Sequence, residues 1–236
     1  MGVAWGRTSF MKNLIDGFLH FKHHIFPREQ HLFRQLGARQ NPQALFITCA
    51  DSRIVPTLIT QSRPGDLFVC RTIGNQVPLH GTPGDGGVGS AVEYALEALD
   101  VRDIIVCGHS DCGAMKAVLY PENTAALPTT KAWLKQAEAA RSTVIGNYPD
   151  AADDVLLHVL TEENILAQIR NLTTHPSVAA RLARGQLDLH GWFYHIHSGE
   201  ITSYEKDRKR FRPLATGAPS ADSRPQFQHL SRGDAA

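Results

Sequence analysis

The segment ALFITCADSRIVP, residues 44–56, places a run of apolar residues directly before three chemically reactive side chains. Residues 44–48 are apolar or β-branched without interruption, which is typical of a strand buried on both faces of a parallel sheet. Cys49, Asp51 and Arg53 follow within five residues. Because a thiol, a carboxylate and a guanidinium this close together rarely serve packing alone, the segment predicts a buried strand that ends at a functional site.

Two further segments have the composition of buried strands, LFVCR at 67–71 and DIIVC at 103–107. Between them, VGSAVEYALEAL at 88–99 repeats apolar residues at the spacing of one helix face. A strand, a helix and a strand in this order form a right-handed crossover unit of a parallel sheet. The sequence therefore predicts an α/β fold, with a mostly parallel β-sheet flanked by α-helices.

The chain outside this unit divides into an N-terminal arm, the rest of one α/β domain and a tail. Residues 14–33 read as an amphipathic helix interrupted at Pro27, because the proline ring and its missing N–H disfavour continuation. We predict a helical arm over 1–34 and one α/β domain over 35–213. Residues 214–236 are rich in Pro, Ser, Gly and charged residues, which predicts a disordered tail.

The second half of the α/β domain carries two more helical patterns and a hairpin. Apolar spacing predicts helices over 130–145 and 162–172. We place the start of the second helix at Thr161, because two acidic residues follow it. Apolar and aromatic alternation on both sides of Ser198–Gly199 predicts a β-hairpin.

The composition narrows the class of partner and the compartment. With 24 basic and 23 acidic residues and a net charge of +1, the chain lacks the basic surface that nucleic acid or a membrane would attract. No apolar run reaches the ~18 residues of a membrane span, and the start lacks the pattern of a signal peptide. Four cysteines in 236 residues are too few for a disulfide scaffold. We expect a cytoplasmic protein with a small-molecule partner.

A second reactive cluster, CGHSDCGAMKA at 107–117, also lies at the end of a predicted strand. Sites in open α/β sheets form beyond the carboxyl ends of the strands, so Cys49 can meet His109 and Cys112 although they are distant in sequence. Two thiolates and one imidazole are donors that suit zinc, and three protein ligands leave a fourth position open for chemistry. The helix that begins here should also favour the thiolate form of Cys112.

Other cysteines, histidines and glycines have simpler interpretations. We interpret Cys70 and Cys107 as small buried hydrophobic residues. Seven histidines are interpreted as structural or solvated: His20, His23, His24, His31, His158, His175 and His229. The segment GTPGDGGVGS at 81–90 contains a formal G-x-G-x-x-G, but no strand directly precedes it. It is therefore read as a loop that caps the following helix and not as a dinucleotide site.

Three segments together resemble the β-class carbonic anhydrases: CADSRIVP at 49–56, PGDLFVCRTIGNQVP at 64–78 and GHSDCGAMKA at 108–117. The family patterns C-x-D-S-R and H-x-x-C-G both stand intact. The resemblance is strong over about 40–120 and continues to about Tyr194. It implies a lyase that reversibly hydrates carbon dioxide to bicarbonate and a proton. It also implies an N-terminal arm that embraces a second subunit, with a homodimer as the minimum unit and tetramers common.

The resemblance assigns roles to the reactive residues. Cys49, His109 and Cys112 would hold one Zn2+ per subunit, and Asp51 with Arg53 would form the dyad beside it. Arg53 can hold the Asp51 carboxylate away from the metal through two parallel hydrogen bonds. If that hold is lost, Asp51 becomes the fourth ligand of a closed state. The sequence alone leaves open which state prevails at neutral pH.

The resemblance also implies substrate contacts. Gln40 matches a substrate-contacting glutamine, and the backbone N–H of Gly113 matches a donor to the same oxygen. Phe68, Ile73 and Tyr94 match residues that line an apolar pocket for carbon dioxide across the dimer interface. An apolar pocket suits an uncharged substrate.

An accessory bicarbonate site found in other members is predicted to be absent. That site needs a tryptophan and a glycine where this chain carries Phe46 and Thr48. Its remaining residues correspond to Arg71 and Tyr194.

Three alternatives remain open to different degrees. A few relatives hydrolyse carbon disulfide or carbonyl sulfide, and assays of these gases distinguish the reactions. A non-enzymatic zinc protein would gain nothing from Asp51, Arg53 and Gln40. A thiol redox protein would require a C-x-x-C pair, which the sequence lacks.

Overall fold

The computed structural model describes residues 7–214, with side chains from residue 10 onward. It divides the chain into two compact units, 1–41 and 42–236. The predicted tail lies outside the described residues except for Leu214, and so does His229. Within the described part of the chain, no helix combines the length and the apolar character needed to cross a membrane.

The N-terminal unit is helical, as the sequence predicts. Helix α1, Arg7–His20, runs into a π-helical turn, Phe21–Ile25, and helix α2 spans Gln30–Ala38. The helix is interrupted around Pro27, where a proline cannot supply the backbone N–H that a helix interior requires. Residue 34, where we ended the arm, lies inside α2. Six large apolar side chains of α1 are exposed in the described chain: Phe10, Met11, Leu14, Ile15, Phe18 and Leu19.

A six-stranded sheet forms the centre of the second unit, in the order β2-β1-β3-β4-β5-β6. The strands are β1 Ala44–Cys49, β2 Leu67–Thr72, β3 Asp103–His109, β4 Asp188–Tyr194, β5 Ile201–Glu205 and β6 Arg210–Pro213. The first four strands in this order pair in parallel and the last two pairings are antiparallel. The mostly parallel α/β sheet is confirmed, and so is the hairpin, whose turn contains Gly199 at a φ of 75°.

Helices cover both faces of this sheet. They are α3 Pro56–Thr60, α4 Asp85–Glu93, α5 Gly113–Leu119, α6 Pro128–Leu134, α7 Glu138–Asn147, α8 Asp153–Leu172 and α9 Pro176–Ala183. Helix α4 continues into a π-helical turn, Tyr94–Ala98. Successive residues of a strand point to opposite faces, so Phe46 and Cys107 enter one apolar cluster while Ile47 and Val106 enter the other.

Two sequence expectations about these elements were wrong. Helix α8 begins at Asp153 and not at Thr161. Thr161 lies inside the helix, where its hydroxyl donates to the Leu157 carbonyl (2.7 Å) and does not cap the helix start. The predicted helix over 130–145 is split into α6 and α7 by a tight turn. A threonine that bonds the preceding helical turn resembles a helix-capping threonine in sequence, so the pattern alone could not separate the two.

Strand β2 differs from the prediction of burial on both faces. It lies at the edge of the sheet and pairs only with β1 in the described chain. The side chain of Val69 is therefore 39% exposed. An exposed edge strand with apolar residues is a surface on which another chain can dock.

Helix α8 packs closely on β3 and β4 because glycines line its contact with the sheet. A Cβ on Gly108 would lie 2.9 Å from Ile165 Cδ1, and one on Gly191 would lie 3.0 Å from Ile165 Cγ2. The contact at Gly108 is shorter than real Cβ atoms show, and the contact at Gly191 is tight enough that Ile165 would have to move. The glycines therefore set the depth of α8 above the strand that leads to His109.

We expect Gly108→Ala to destabilise the fold by about 1–3 kcal/mol, because the added methyl group overpacks the α8 contact. Urea unfolding at neutral pH measures the change. The control is Gly146→Ala in α7, where a Cβ meets nothing within 4 Å. Equal stabilities of the two variants would contradict the overpacking argument.

Candidate metal centre

Three buried side chains converge at the carboxyl ends of β1 and β3. Cys49 ends β1, His109 ends β3, and Cys112 directly precedes α5. The two strands pair in parallel with Thr48 opposite Cys107, which brings their ends to the same edge of the sheet. The two sulfurs and a ring nitrogen of His109 all lie within 4.8 Å of one another. The structure thus assembles the three predicted ligands.

The tautomer of His109 leaves one nitrogen free for a metal. Its Nδ1 lies 2.9 Å from the carbonyl oxygen of Ser110, which can only accept, so Nδ1 carries the hydrogen. Its Nε2 is buried and has no hydrogen-bond partner among the described residues. A buried ring nitrogen without a partner, beside two thiols, fits a tetrahedral zinc site with two sulfurs and one nitrogen.

The two thiols differ in their affinity for a proton. The neighbouring Cys112 thiol, together with His109 and the backbone N–H groups of Asp51 and Gly74, lowers the pKa of Cys49. The hydrogen bond with Cys49, then burial and the negative charge on Cys49, raise the pKa of Cys112 well above its usual value. The backbone N–H groups of Ala114 and Met115 at the start of α5 lower the pKa of Cys112, as the sequence predicts, but in the metal-free pair the effect of Cys49 and burial is larger. A divalent cation would remove this repulsion.

Gly74 holds Cys49 from the opposite side, and the sequence did not single it out. Its backbone N–H points at Cys49 Sγ (3.4 Å), and its φ of 73° is a conformation that favours glycine. A Cβ at this position would lie 2.9 Å from the Cβ of Ala114. The Gly74 carbonyl accepts from Gln76 Nε2 (3.0 Å) and Asn164 Nδ2 (3.1 Å).

The polar side chains of α8 hold the segment after β2. Gln168 Oε1 accepts from Val77 N (2.8 Å), and Asn171 Nδ2 donates to Val77 O (2.7 Å). Gln168 Nε2 also donates to Asn164 Oδ1 (2.9 Å). Asn164, Gln168 and Asn171 recur at the i, i+4, i+7 spacing of one helix face. Amides at positions where an apolar face is expected were the available sequence signal for this role. They position Gly74, and through it the Cys49 sulfur.

Asp51 and Arg53 form a closed pair beside the cluster. Arg53 Nη2 donates to Asp51 Oδ2 (2.8 Å) and its Nε donates to Oδ1 (3.0 Å). The Arg53 backbone N–H adds a third bond to Oδ1 (2.9 Å). These donors lower the pKa of Asp51, so the carboxylate stays ionised. Asp51 Oδ2 lies 3.9 Å from His109 Nε2, which places the carboxylate beside the Cys-His-Cys cluster.

Asp111 is a second acidic partner of Arg53, and it was not among the residues predicted from the sequence. Arg53 Nη1 donates to Asp111 Oδ2 (2.8 Å), and Nη2 donates to its carbonyl (3.1 Å). Lys116 pairs with the other carboxylate oxygen. Arg53 and Lys116 lower the pKa of Asp111 to about 2. Asp111 stands between two predicted ligands in HSDC, and that position was the available signal.

We expect Asp111→Asn to lower stability slightly at neutral pH, because its ion pairs are half exposed and water screens them. A depressed carboxyl pKa contributes stability above the unfolded value near ~4, and that contribution disappears as the pH falls toward ~2. The stability difference from the unmodified chain should therefore shrink below about pH 4. Urea unfolding of both proteins across this range measures it, and a difference that grows with acidity would contradict the assignment.

Arg71 supports the loop that follows β1. Its Nη1 donates to the carbonyls of Cys49 and Asp51 (3.2 Å each), and its Nη2 donates to the carbonyl of Ile54. Phe46 and Thr48, which occupy the accessory-site positions, are fully buried. The guanidinium of Arg71 is thus engaged by backbone carbonyls of the metal-ligand loop.

The predicted substrate residues are brought together in part. The rings of Phe68 and Tyr94 pack with centroids 5.9 Å apart. Ile73 is 43% and Tyr94 50% exposed in the described chain. Gly113 is the first residue of α5, next to Cys112. Gln40 belongs to the N-terminal unit, so its placement at the site stays a prediction.

The other cysteines do not join the cluster. Cys107 is fully buried and Cys70 half-buried, and burial raises the pKa of both thiols.

His158 packs against the ring of Phe193 with centroids 4.7 Å apart and lies 3.4 Å from a carboxylate oxygen of Glu162.

Comparison with known proteins agrees with this geometry. The model of the carbonic anhydrase family matches residues 44–201. The chain therefore belongs to the carbonic anhydrases, and within them to the β class, enzymes that reversibly hydrate carbon dioxide to bicarbonate and a proton.

Individual relatives support the same class. A carbonic anhydrase of Pseudomonas aeruginosa is 48% identical over 205 residues, covering 87% of this chain and 92% of its own. The solved structure of the β-carbonic anhydrase CcaA is 46% identical with a TM-score of 0.85, covering 87% of this chain and all of that chain. Tetrameric β-carbonic anhydrases of Sordaria macrospora align with a TM-score of 0.74 at 27% identity, covering 82% of this chain and 96% of that chain.

Proposed function

We propose that this carbonic anhydrase binds one zinc ion per chain through Cys49, His109 and Cys112, and hydrates carbon dioxide there. The observation that carries the proposal is the buried cluster of two sulfurs and an unpartnered His109 Nε2 beside a carboxylate held by arginine. When bound, zinc lowers the pKa of a coordinated water molecule and so supplies a nucleophile near neutral pH.

Asp51 orients the nucleophile in this proposal. Both of its oxygens are engaged by Arg53, yet a carboxylate oxygen has a further lone pair that can accept a hydrogen bond. Because Arg53 in turn is anchored by Asp111, the carboxylate is held in one orientation. A fourth coordination position can stay open to water only while Arg53 holds Asp51 in this orientation. If Arg53 released Asp51, the carboxylate could become the fourth metal ligand.

The remaining site residues keep the roles that the family resemblance implies. Gln40 and the N–H of Gly113 would contact a substrate oxygen. Phe68, Ile73 and Tyr94 would form the apolar pocket, which suits an uncharged gas molecule. The packed rings of Phe68 and Tyr94 support this role.

A homodimer is the minimum assembly that we propose, with a tetramer as the alternative. The exposed apolar residues of α1 and the exposed edge strand β2 are surfaces that a second copy would cover. The tetrameric relatives from Sordaria macrospora support assembly beyond one chain. Balanced charge favours a cytoplasmic enzyme without nucleic-acid or membrane partners.

We expect the activity to rise toward alkaline pH. Bound to zinc, the thiolates of Cys49 and Cys112 would bring two negative charges that offset the charge of the ion, and a coordinated water would be less acidic than in a three-histidine site. Zinc analysis combined with stopped-flow hydration of carbon dioxide across pH tests the proposal. A zinc-free protein with full activity would overturn the proposal. Turnover of carbon disulfide or carbonyl sulfide without turnover of carbon dioxide would assign a different substrate to the same site.

A further inference from the structure

A second group of metal-ligating side chains lies outside the Cys-His-Cys cluster. It consists of His80, Asp85 and His175, whose ligand atoms all lie within 4.8 Å of one another. His80 Nδ1 is 3.4 Å from Asp85 Oδ2, and His175 Nε2 is 3.8 Å from Asp85 Oδ1. From the sequence alone we interpreted His175 as structural or solvated, and no sequence pattern connected it with His80 and Asp85.

The backbone fixes these three residues on separate elements. His80 lies in the segment after β2, Asp85 is the first residue of α4, and His175 directly precedes α9. The backbone N–H of His80 donates to Thr174 Oγ1 (3.0 Å), which ties the segment to the end of α8. The N–H of Gly81 donates to Asp85 Oδ2 (2.9 Å). The arrangement is therefore held before any ligand binds.

Asp85 carries the strongest sign of a missing partner. Its Oδ1 is buried and has no hydrogen-bond partner in the described part of the chain, as is also true of Nε2 in His109. A buried carboxylate oxygen without a partner is costly, and such atoms in native folds call for an ion or water. Gly89 gives this carboxylate its space, because a Cβ there would overlap Asp85 Oδ1.

We propose that His80, Asp85 and His175 bind a second divalent metal ion of the zinc, cobalt or nickel type. Two imidazoles and one carboxylate suit these ions, whereas magnesium and calcium prefer oxygen ligands. In the metal-free chain His175 Nε2 donates to the carbonyl oxygen of Pro78 (3.0 Å), so binding of an ion at this nitrogen would break that hydrogen bond and release the proton. A neighbouring cavity of about 370 Å³ leaves room for coordinated water. The ion would tie the segment after β2 to the start of α9.

A different histidine pair must be removed before the ions are counted. The rings of His20 and His24 lie 4.8 Å apart on the N-terminal helices, and a pair at this spacing also attracts transition metals. The double variant His20→Ala/His24→Ala is therefore the starting protein. His80 is 50% exposed, so its replacement by alanine should not disturb the fold.

Zinc is counted by mass spectrometry after equilibrium dialysis of the zinc-loaded protein. The starting protein should hold about two zinc ions per chain, and adding His80→Ala or Asp85→Asn should reduce this to about one. The matched control is His190→Ala. It removes a histidine that contacts one carboxylate, Asp103 (2.7 Å), outside the cluster, and should leave about two zinc ions per chain. One zinc ion in the starting protein, or an unchanged count in both cluster variants, would overturn the proposal.

A second test keeps all three ligands and changes only their space. Gly89→Ala places a methyl group against the Asp85 carboxylate and should weaken binding of the second zinc ion by ~10-fold or more. Gly86→Ala in the same helix is the control, because a Cβ there meets nothing within 4 Å. Calorimetric titration of zinc into proteins that already hold one zinc ion per chain measures the affinity for the second ion in both variants. Equal affinities in the two variants would contradict a site at Asp85.

Discussion

Replacing Cys112 by alanine should remove the zinc ion held by the Cys-His-Cys cluster, lowering the zinc count by about one per chain, and reduce carbon dioxide hydration to the uncatalysed rate. The variant removes one of three proposed ligands and leaves Cys49 and His109 without a third donor. Loss of an outer-shell partner alone costs about 10–100-fold in metal affinity, so loss of a direct ligand should cost more. Metal analysis after dialysis and a stopped-flow assay measure the two effects together.

The matched control for this experiment is Cys70→Ala. Cys70 is a half-buried thiol on β2 that does not belong to the metal cluster. We expect this variant to keep its zinc and its activity. If Cys112→Ala retains zinc and turnover, or if Cys70→Ala loses both, the assignment of the metal ligands is wrong.

The convergence of the ligands was predictable because it depends on a general property of parallel sheets. Cys49 and His109 each end a strand, and the register of β1 on β3 places both ends at one edge. An apolar run with polar residues directly after it reveals such an ending in the sequence. The donor types then limit the metal.

The support around the ligands was not predictable in the same way. Gly74, whose N–H reaches Cys49, is held at its carbonyl by Asn164, which lies 90 residues later in the sequence. Asp111 reads as an ordinary loop residue until Arg53 is placed beside it. Contacts of this kind depend on the tertiary fold, and neither spacing nor local propensity encodes them.

Element boundaries also followed tertiary contacts more than local signals. Thr161 looks like a helix cap in sequence, yet its hydroxyl bonds the preceding turn of α8. Strand β2 has the composition of a central strand but occupies the sheet edge. Its composition agrees better with an edge that a second copy covers, which is the assembly that we propose.

Replacing Asp51 by asparagine should leave zinc bound and lower the hydration rate by ~10²-fold or more, the range for loss of a positioned acid–base group. Asparagine has nearly the same shape but lacks the charge that Arg53 holds through its side-chain and backbone donors. The amide cannot accept from the nucleophile in the same orientation. Stopped-flow turnover and metal content, measured on the same sample, separate the two effects.

Asp111→Asn is the control that makes this result specific to Asp51. It also removes a carboxylate partner of Arg53, but Asp51 Oδ2, and not the Asp111 carboxylate, is the acid placed 3.9 Å from His109 Nε2. We therefore expect Asp111→Asn to lower turnover by less than about tenfold, well short of the loss of a positioned group. Near-normal turnover in Asp51→Asn would remove Asp51 from the mechanism. Equal losses in both variants would mean that the charge of the Arg53 network, and not the Asp51 carboxylate, supports the reaction.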